Sequence, residues 1–149
     1  MIYFDNSASS YYKPPSVVNA MTNALKFLPA NAGRSGHSEA LKGAALVQKT
    51  RERMAFFVTA GDGDVVFTAG CTAALNLAIF GSVRRGGHVI TTVREHNSVL
   101  RPLYELRRRG LITLSVADKV NAEEIGKLVR PETYMIVTNH VSNVNGEVA

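Results

Sequence analysis

Apolar and polar positions alternate between two periods along the second part of the chain. Short runs rich in β-branched and aromatic residues lie at 65–68, 88–92, 111–116 and 133–138. Helical spacing fills residues 71–80, the stretch from the 95–98 loop to about 109, and residues 121–129. Asn121 with Glu124 three residues on has the form of a capping box. The order β-α-β-α-β-α-β predicts an α/β fold, with a mainly parallel sheet and helices on its faces. Before it, Lys13-Pro14-Pro15-Ser16 opens a helix whose apolar positions are Val17, Val18, Met21, Leu25 and Leu28, and Pro29 ends it. A second helix is predicted over residues 38–58, with a broad stripe of Leu41, Ala44, Ala45, Val47, Met54, Ala55 and Val58. A loop of small residues, 30–38, joins the two, and Gly61-Asp62-Gly63-Asp64 is a turn.

Length and composition narrow the class. The 149 residues suit one domain, and 46% hydrophobic with 19% charged residues is ordinary for a globular protein. No apolar run is long enough to span a bilayer. The start, Met1-Ile2-Tyr3-Phe4-Asp5, lacks the basic and apolar regions of a signal peptide. A single cysteine, Cys71, makes no internal disulfide. A cytoplasmic location, with no membrane partner, is the expectation. The net charge of +5 raises nucleic acid as a partner, but the one dense basic cluster, Arg107-Arg108-Arg109, ends a predicted helix and complements its dipole. No aromatic–basic interleaving of the base-stacking kind is present, so nucleic acid is not expected. His37, His88, His96 and His140 show no paired ligand spacing, and no metal site is expected.

Three polar loops carry the candidate chemistry. In open α/β sheets, ligands bind beyond the carboxyl ends of the strands. The loops 68–72, 95–98 and 140–146 all leave predicted strand carboxyl ends. The first is a strand, a turn at Ala69-Gly70 and a helix start at Cys71-Thr72. The first amides of a helix lack internal partners, so this joint either binds an anion or is a plain strand–helix cap. Neither a P-loop nor a complete dinucleotide fingerprint is present.

Five segments, in order, resemble the class V aminotransferase family of pyridoxal-phosphate enzymes, and within it the cysteine desulfurases and their selenocysteine lyase relatives. They are Tyr3-Phe4-Asp5-Asn6-Ser7-Ala8-Ser9, Asn31-Ala32-Gly33-Arg34-Ser35-Gly36-His37, Val66-Phe67-Thr68-Ala69-Gly70-Cys71-Thr72, Glu95-His96-Asn97-Ser98-Val99-Leu100 and His140-Val141-Ser142-Asn143-Val144-Asn145-Gly146. The resemblance implies the N-terminal part of the large domain of fold type I, a three-layer α/β/α arrangement. It implies one incomplete domain over residues 1–149, with residues 1–37 as helix and substrate-entrance loop and 38–149 as the cofactor-binding part.

The resemblance also implies roles. Gly70, Cys71 and Thr72 would hold the phosphate of pyridoxal 5'-phosphate. His96 would stack on its ring and move protons at the substrate α-carbon. Asn143 would bond the phenolic oxygen and lie near the substrate carboxylate. Ala8, Arg34 and His37 would line the substrate entrance. Ala73 stands where relatives commonly carry an acidic residue, and Cys71 is not the family's sulfur-accepting cysteine.

Family members are more than twice this long. The Schiff-base lysine, the aspartate facing the pyridine nitrogen and the mobile cysteine loop lie further on in them. None of Lys13, Lys26, Lys42, Lys49, Lys119 and Lys127 has the context of that lysine. The expected activity is therefore part of a cysteine desulfurase that turns L-cysteine into L-alanine and enzyme-bound sulfur, inactive without the rest. Amino transfer, selenocysteine lysis and a non-catalytic phosphate-ligand module are the alternatives. A homodimer, or pairing with a missing C-terminal half, would cover the open sheet edge and apolar helix faces, and a sulfur-acceptor protein would be a further partner.

Overall fold

A computed structural model of the chain describes all residues except 1, 7, 8, 29, 30, 34, 35, 60, 62, 143, 144, 147 and 149. The expected site residues Ala8, Arg34 and Asn143 lie outside the described residues. The chain divides into two compact units, Met1–Val66 and Phe67–Ala149.

The first unit is helical. Helix α1, Pro15–Phe27, begins with proline at its first turn, where the missing N–H costs nothing. Helix α2 is Ser38–Thr59. The apolar stripes of both helices are largely open. No residue of α1 is buried, and Leu25 is 81% exposed. On α2 the buried positions are Ala40, Gly43 and Ala55, while Phe56, Phe57 and Val58 are exposed. Two helices alone supply no second layer against which each could bury its apolar face.

The second unit holds the sheet. Strands β1 (His88–Thr92), β2 (Thr113–Ala117) and β3 (Thr133–Ile136) form a parallel sheet in the order β2-β1-β3. Central β1 is buried at all five positions. Helices α3 (Cys71–Gly81), α4 (Asn97–Arg108) and α5 (Ala122–Lys127) complete the unit. One core joins Ile79 of α3, Val89 of β1, Val99, Leu103 and Leu106 of α4, and Ile112. Asn121 caps α5 by accepting the Glu124 N–H at 2.8 Å, which is half of the capping box. The Glu124 carboxylate pairs with Lys127 at 2.8 Å.

Residues 65–68, read as a fourth strand, pair with no strand among the described residues. Val66 and Phe67 are exposed. A strand needs a neighbour for its backbone groups, and β-propensity alone does not supply one. The sheet therefore has three strands here.

The β1–β3 register shifts between His88, opposite Thr133, and Val89, opposite Met135. Tyr134 is the extra residue. The shift lets two consecutive side chains, Tyr134 and Met135, both pack against the core. Gly87 is required beside it, because a Cβ there would lie 2.5 Å from the Tyr134 ring.

On the other face of the sheet, His88 is fully buried. Its Nδ1 lies 2.7 Å from the Thr133 hydroxyl and its Nε2 2.9 Å from the Ser115 hydroxyl. Thr133 Oγ1 already accepts the Arg130 N–H at 2.8 Å, so its own proton is available to Nδ1. Ser115 Oγ likewise accepts the Arg130 guanidinium N–H at 3.3 Å, so both ring nitrogens are paired with hydroxyls that can adapt to either neutral tautomer. Burial pushes the His88 pKa down, and the nearby Arg130 charge adds to this.

Candidate functional site

The site is built in the second unit, where α3 and α4 begin. Thr68 closes the turn before α3. Its hydroxyl donates to the Gly70 carbonyl at 2.9 Å. Gly70 is the cap residue of α3, and no side chain caps this helix. The first in-helix bond runs from the Ala74 N–H to the Gly70 carbonyl at 3.1 Å, so the amides of Cys71, Thr72 and Ala73 precede the helical ladder. A Cβ on Gly70 would meet no atom within 4 Å. Gly70 is extended, and neither its conformation nor its packing here demands glycine. What the glycine provides is open space beside the first amides of α3. The Thr72 side chain is exposed, and its carbonyl accepts the Asn76 amide at 2.7 Å.

Helix α4 starts from the carboxyl end of β1. The cap expected within Glu95–Ser98 is His96 itself. Its Nδ1 accepts the Ser98 N–H at 3.1 Å and sits 2.8 Å from the Ser98 hydroxyl. A ring nitrogen that accepts a backbone N–H carries no proton, so the neutral ring holds its proton on Nε2. The ring is thus oriented by its own helix. Nε2 is the nitrogen left to face a ligand.

Behind His96, the turn is held by Glu95, which is 7% exposed. Glu95 Oε1 accepts the Thr92 hydroxyl at 3.0 Å and the Asn139 N–H at 2.8 Å. The Asn139 side-chain amide donates to the Arg94 carbonyl at 2.9 Å. Neither Glu95 nor Asn139 was singled out from the sequence as a site residue. The available signal was an acid inside a turn after an apolar strand, where a solvated carboxylate is the usual reading.

Thr72 and His96 line one cleft of about 380 Å³, together with Asn76, Ser98, Arg101 and Glu105. The Glu105 carboxylate pairs with Arg108 and Arg109, each at 2.7 Å, and these bonds hold its carboxyl down at about 2. Two of the three clustered arginines therefore serve an ion-pair network as well as the helix end. Arg101 brings a cation to the cleft wall.

His37 lies in the first unit, where its Nδ1 accepts the Ala40 N–H of α2 at 3.3 Å. Cys71 is exposed and carries a free thiol. Among the described residues, no group of three or more His, Cys, Asp and Glu side chains is placed to hold a metal ion, and no helix is long and apolar enough to cross a membrane.

These features test for an anionic, planar cofactor. An uncapped helix start, a side-chain-free approach at Gly70 and the Thr72 hydroxyl suit a phosphate. A histidine fixed by its own cap on the same cleft suits a ring. No lysine lines this cleft, and all six are exposed.

The parallel sheet with its helices makes the second unit an α/β protein, and its likeness to solved cysteine desulfurases identifies it as the N-terminal part of the pyridoxal-phosphate-dependent fold type I. The chain belongs to the class V aminotransferase family, whose pattern matches residues 2–149. A probable cysteine desulfurase of Methanothermobacter thermautotrophicus is 33% identical over 99% of this chain and 38% of its own length. The chain thus spans well under half of that relative. The structure of SspA in complex with cysteine superposes with a TM-score of 0.83 at 29% identity, covering 99% of this chain and 44% of that one. An apo cysteine desulfurase from Thermococcus onnurineus gives 0.83 at 28% identity, covering 95% of this chain and 37% of that one.

Proposed function

We propose that the chain is the N-terminal, phosphate- and ring-contacting portion of a pyridoxal-phosphate-dependent cysteine desulfurase, which converts L-cysteine to L-alanine and transfers the sulfur to an enzyme cysteine thiol, where it is held as a persulfide. The observation that carries this reading is the shared cleft of Thr72 and His96. The cysteine in the SspA complex and the desulfurase relatives support the choice of substrate. Bound pyridoxal phosphate supplies an electron sink for charge developing at the substrate α-carbon.

Each residue has a physical task in that reading. The amides of Cys71 and Thr72 and the Thr72 hydroxyl donate to the phosphate, with Gly70 giving it room. The His96 ring would hold the cofactor ring from the cleft wall. Its Nε2 moves the proton, because Nδ1 is committed to the α4 cap. The motifs further assign Asn143 to the phenolic oxygen and Ala8, Arg34 and His37 to substrate binding. These last four assignments rest on the ordered motifs. With no lysine at the cleft, this chain alone does not turn over. A second copy or the remaining part of the enzyme covers the apolar faces of α1 and α2, and a sulfur-acceptor protein takes the product sulfur in the cytoplasm.

The test is titration of the whole chain with pyridoxal 5'-phosphate, followed through the His96 ring resonances, with inorganic phosphate as competitor. Thr72→Val loses a charge-assisted hydrogen bond and is expected to weaken binding by roughly 1.5–3 kcal/mol. Equal affinity in the variant, or no binding by the wild type, overturns the assignment.

A further inference from the structure

Glu95 stands apart from the other polar groups of the cleft region. It is buried, next to the exposed His96, and touches none of the cleft. Both of its side-chain bonds, from the Thr92 hydroxyl and from the Asn139 N–H, end on the same oxygen, Oε1. Asn139 returns the link through its side chain to the Arg94 carbonyl. The Arg94 N–H in turn lies 3.3 Å from Thr92 Oγ1. The segments leaving β1 and β3 at their carboxyl ends are therefore tied in both directions. One of these segments carries His96 directly after Glu95. The other continues from Asn139 into the 140–146 loop.

We propose that Glu95 is a positioning residue: its Oε1 straps the end of β3 to the β1–α4 turn and so fixes the His96 ring on the cleft wall it shares with Thr72. The proposal rests on the cofactor reading above for its catalytic meaning, but the strap stands on geometry alone. The strap needs an acceptor oxygen at this reach, and charge is secondary. Glutamine keeps that oxygen at the same distance from the backbone. Aspartate keeps the charge and draws the oxygen back by one methylene. An acid–base group would rank the two substitutions in the opposite order.

The experiment uses the whole chain without cofactor. Amide hydrogen exchange of Asn139 reads the strap, the ring ¹⁵N shifts of His96 read its consequence, and the Ile90 amide reports global folding. Glu95→Gln is expected to keep the Asn139 protection and the wild-type His96 pattern. Glu95→Ala and Glu95→Asp are expected to lose about tenfold or more of that protection and to shift or average the His96 signals, while Ile90 stays protected. Should Glu95→Ala fail to fold, the Asp and Gln pair carries the same contrast. Unchanged Asn139 exchange and His96 shifts in Glu95→Asp, or their loss in Glu95→Gln, overturns the proposal. None of these readouts uses the cofactor. Failure of the chain to bind pyridoxal 5'-phosphate would therefore sink the functional reading alone.

Discussion

The Glu95 carboxylate accepts the backbone N–H of Asn139 at 2.8 Å, across 44 residues of sequence. This bond joins the exits of two neighbouring parallel strands, β1 and β3, on the side where the cleft opens. Strand pairing alone leaves such exits free to diverge. A buried side-chain acceptor is a compact way to hold them together, since the donor would otherwise lose a partner at a cost of about 1–3 kcal/mol.

His96 both caps α4 and faces the cleft, and substitution separates the two tasks. His96→Ala removes both and should destabilise the second unit by about 0.5–2 kcal/mol. His96→Asn restores a good cap and should recover that stability, while still losing the ring contact proposed for pyridoxal 5'-phosphate. Urea unfolding paired with cofactor titration checks this. Equal stability losses in both variants would show that the cap contributes little.

His88 makes stability depend on pH. Its folded pKa is lowered, by burial first and by Arg130 next, while Glu132 opposes them. The unfolded chain then binds the proton more readily than the folded one, so stability rises with pH. The contribution is complete above the unfolded value of about 6.5 and is lost as pH falls from there through the folded value. Melting curves of wild type and His88→Gln between pH 8 and 5 test the sign, with the variant expected to start lower and slope less. A wild-type profile no steeper than the variant's would contradict it.

The Tyr134 hydroxyl is buried and has no hydrogen-bond partner among the described residues, although Arg84 lies 5.5 Å from the ring centroid. Tyr134→Phe removes an unsatisfied group and keeps the ring. It should leave stability unchanged or raise it by about 1 kcal/mol. Thermal denaturation measures this, and a clear loss of stability would reveal a partner for the hydroxyl.

Gly87→Ala brings a methyl to 2.5 Å from the same ring. The Tyr134 ring is packed against the core and must move, at an expected cost of about 1–3 kcal/mol. Gly126→Ala, where a Cβ meets open space inside α5, serves as the control and should be neutral or stabilising. Chemical unfolding of both variants decides the matter, and equal effects would remove the steric argument.

Much of the second unit was legible because its signals are local. Gly86-Gly87 and the polar run from Glu95 bracket β1 so tightly that its expected and observed limits coincide. Asn121 caps α5 where the side chain's own chemistry says it should. Three kinds of fact were not legible. The run 65–68 has the composition of a strand, but pairing depends on a neighbour that local sequence does not name. The stripes of α1 and α2 show which faces are apolar, but not which few positions, Ala40, Gly43 and Ala55, are buried. The strap made by Glu95 is invisible locally, since its partner Asn139 is 44 residues away in sequence and close only after the sheet has formed. Among the site residues, Thr72 and His96 line one cleft, and the His37 ring accepts the Ala40 N–H at the start of α2. The capping role of His96 escaped notice because Ser, Thr, Asp and Asn are the usual cap residues.

The His88 ring also encodes alignment. It reaches one hydroxyl on each flanking strand, Thr133 on β3 and Ser115 on β2. A one-residue slip of either strand would turn that hydroxyl to the opposite face of the sheet. A two-residue slip of β3 would replace Thr133 by Met135 or Pro131, and of β2 would replace Ser115 by Ala117 or Thr113. In nearly every misaligned sheet a buried imidazole nitrogen is left without its partner. One side chain at the head of the central strand thus penalises wrong pairings on both sides, which makes it a proofreading element for a sheet whose two outer strands could otherwise slide.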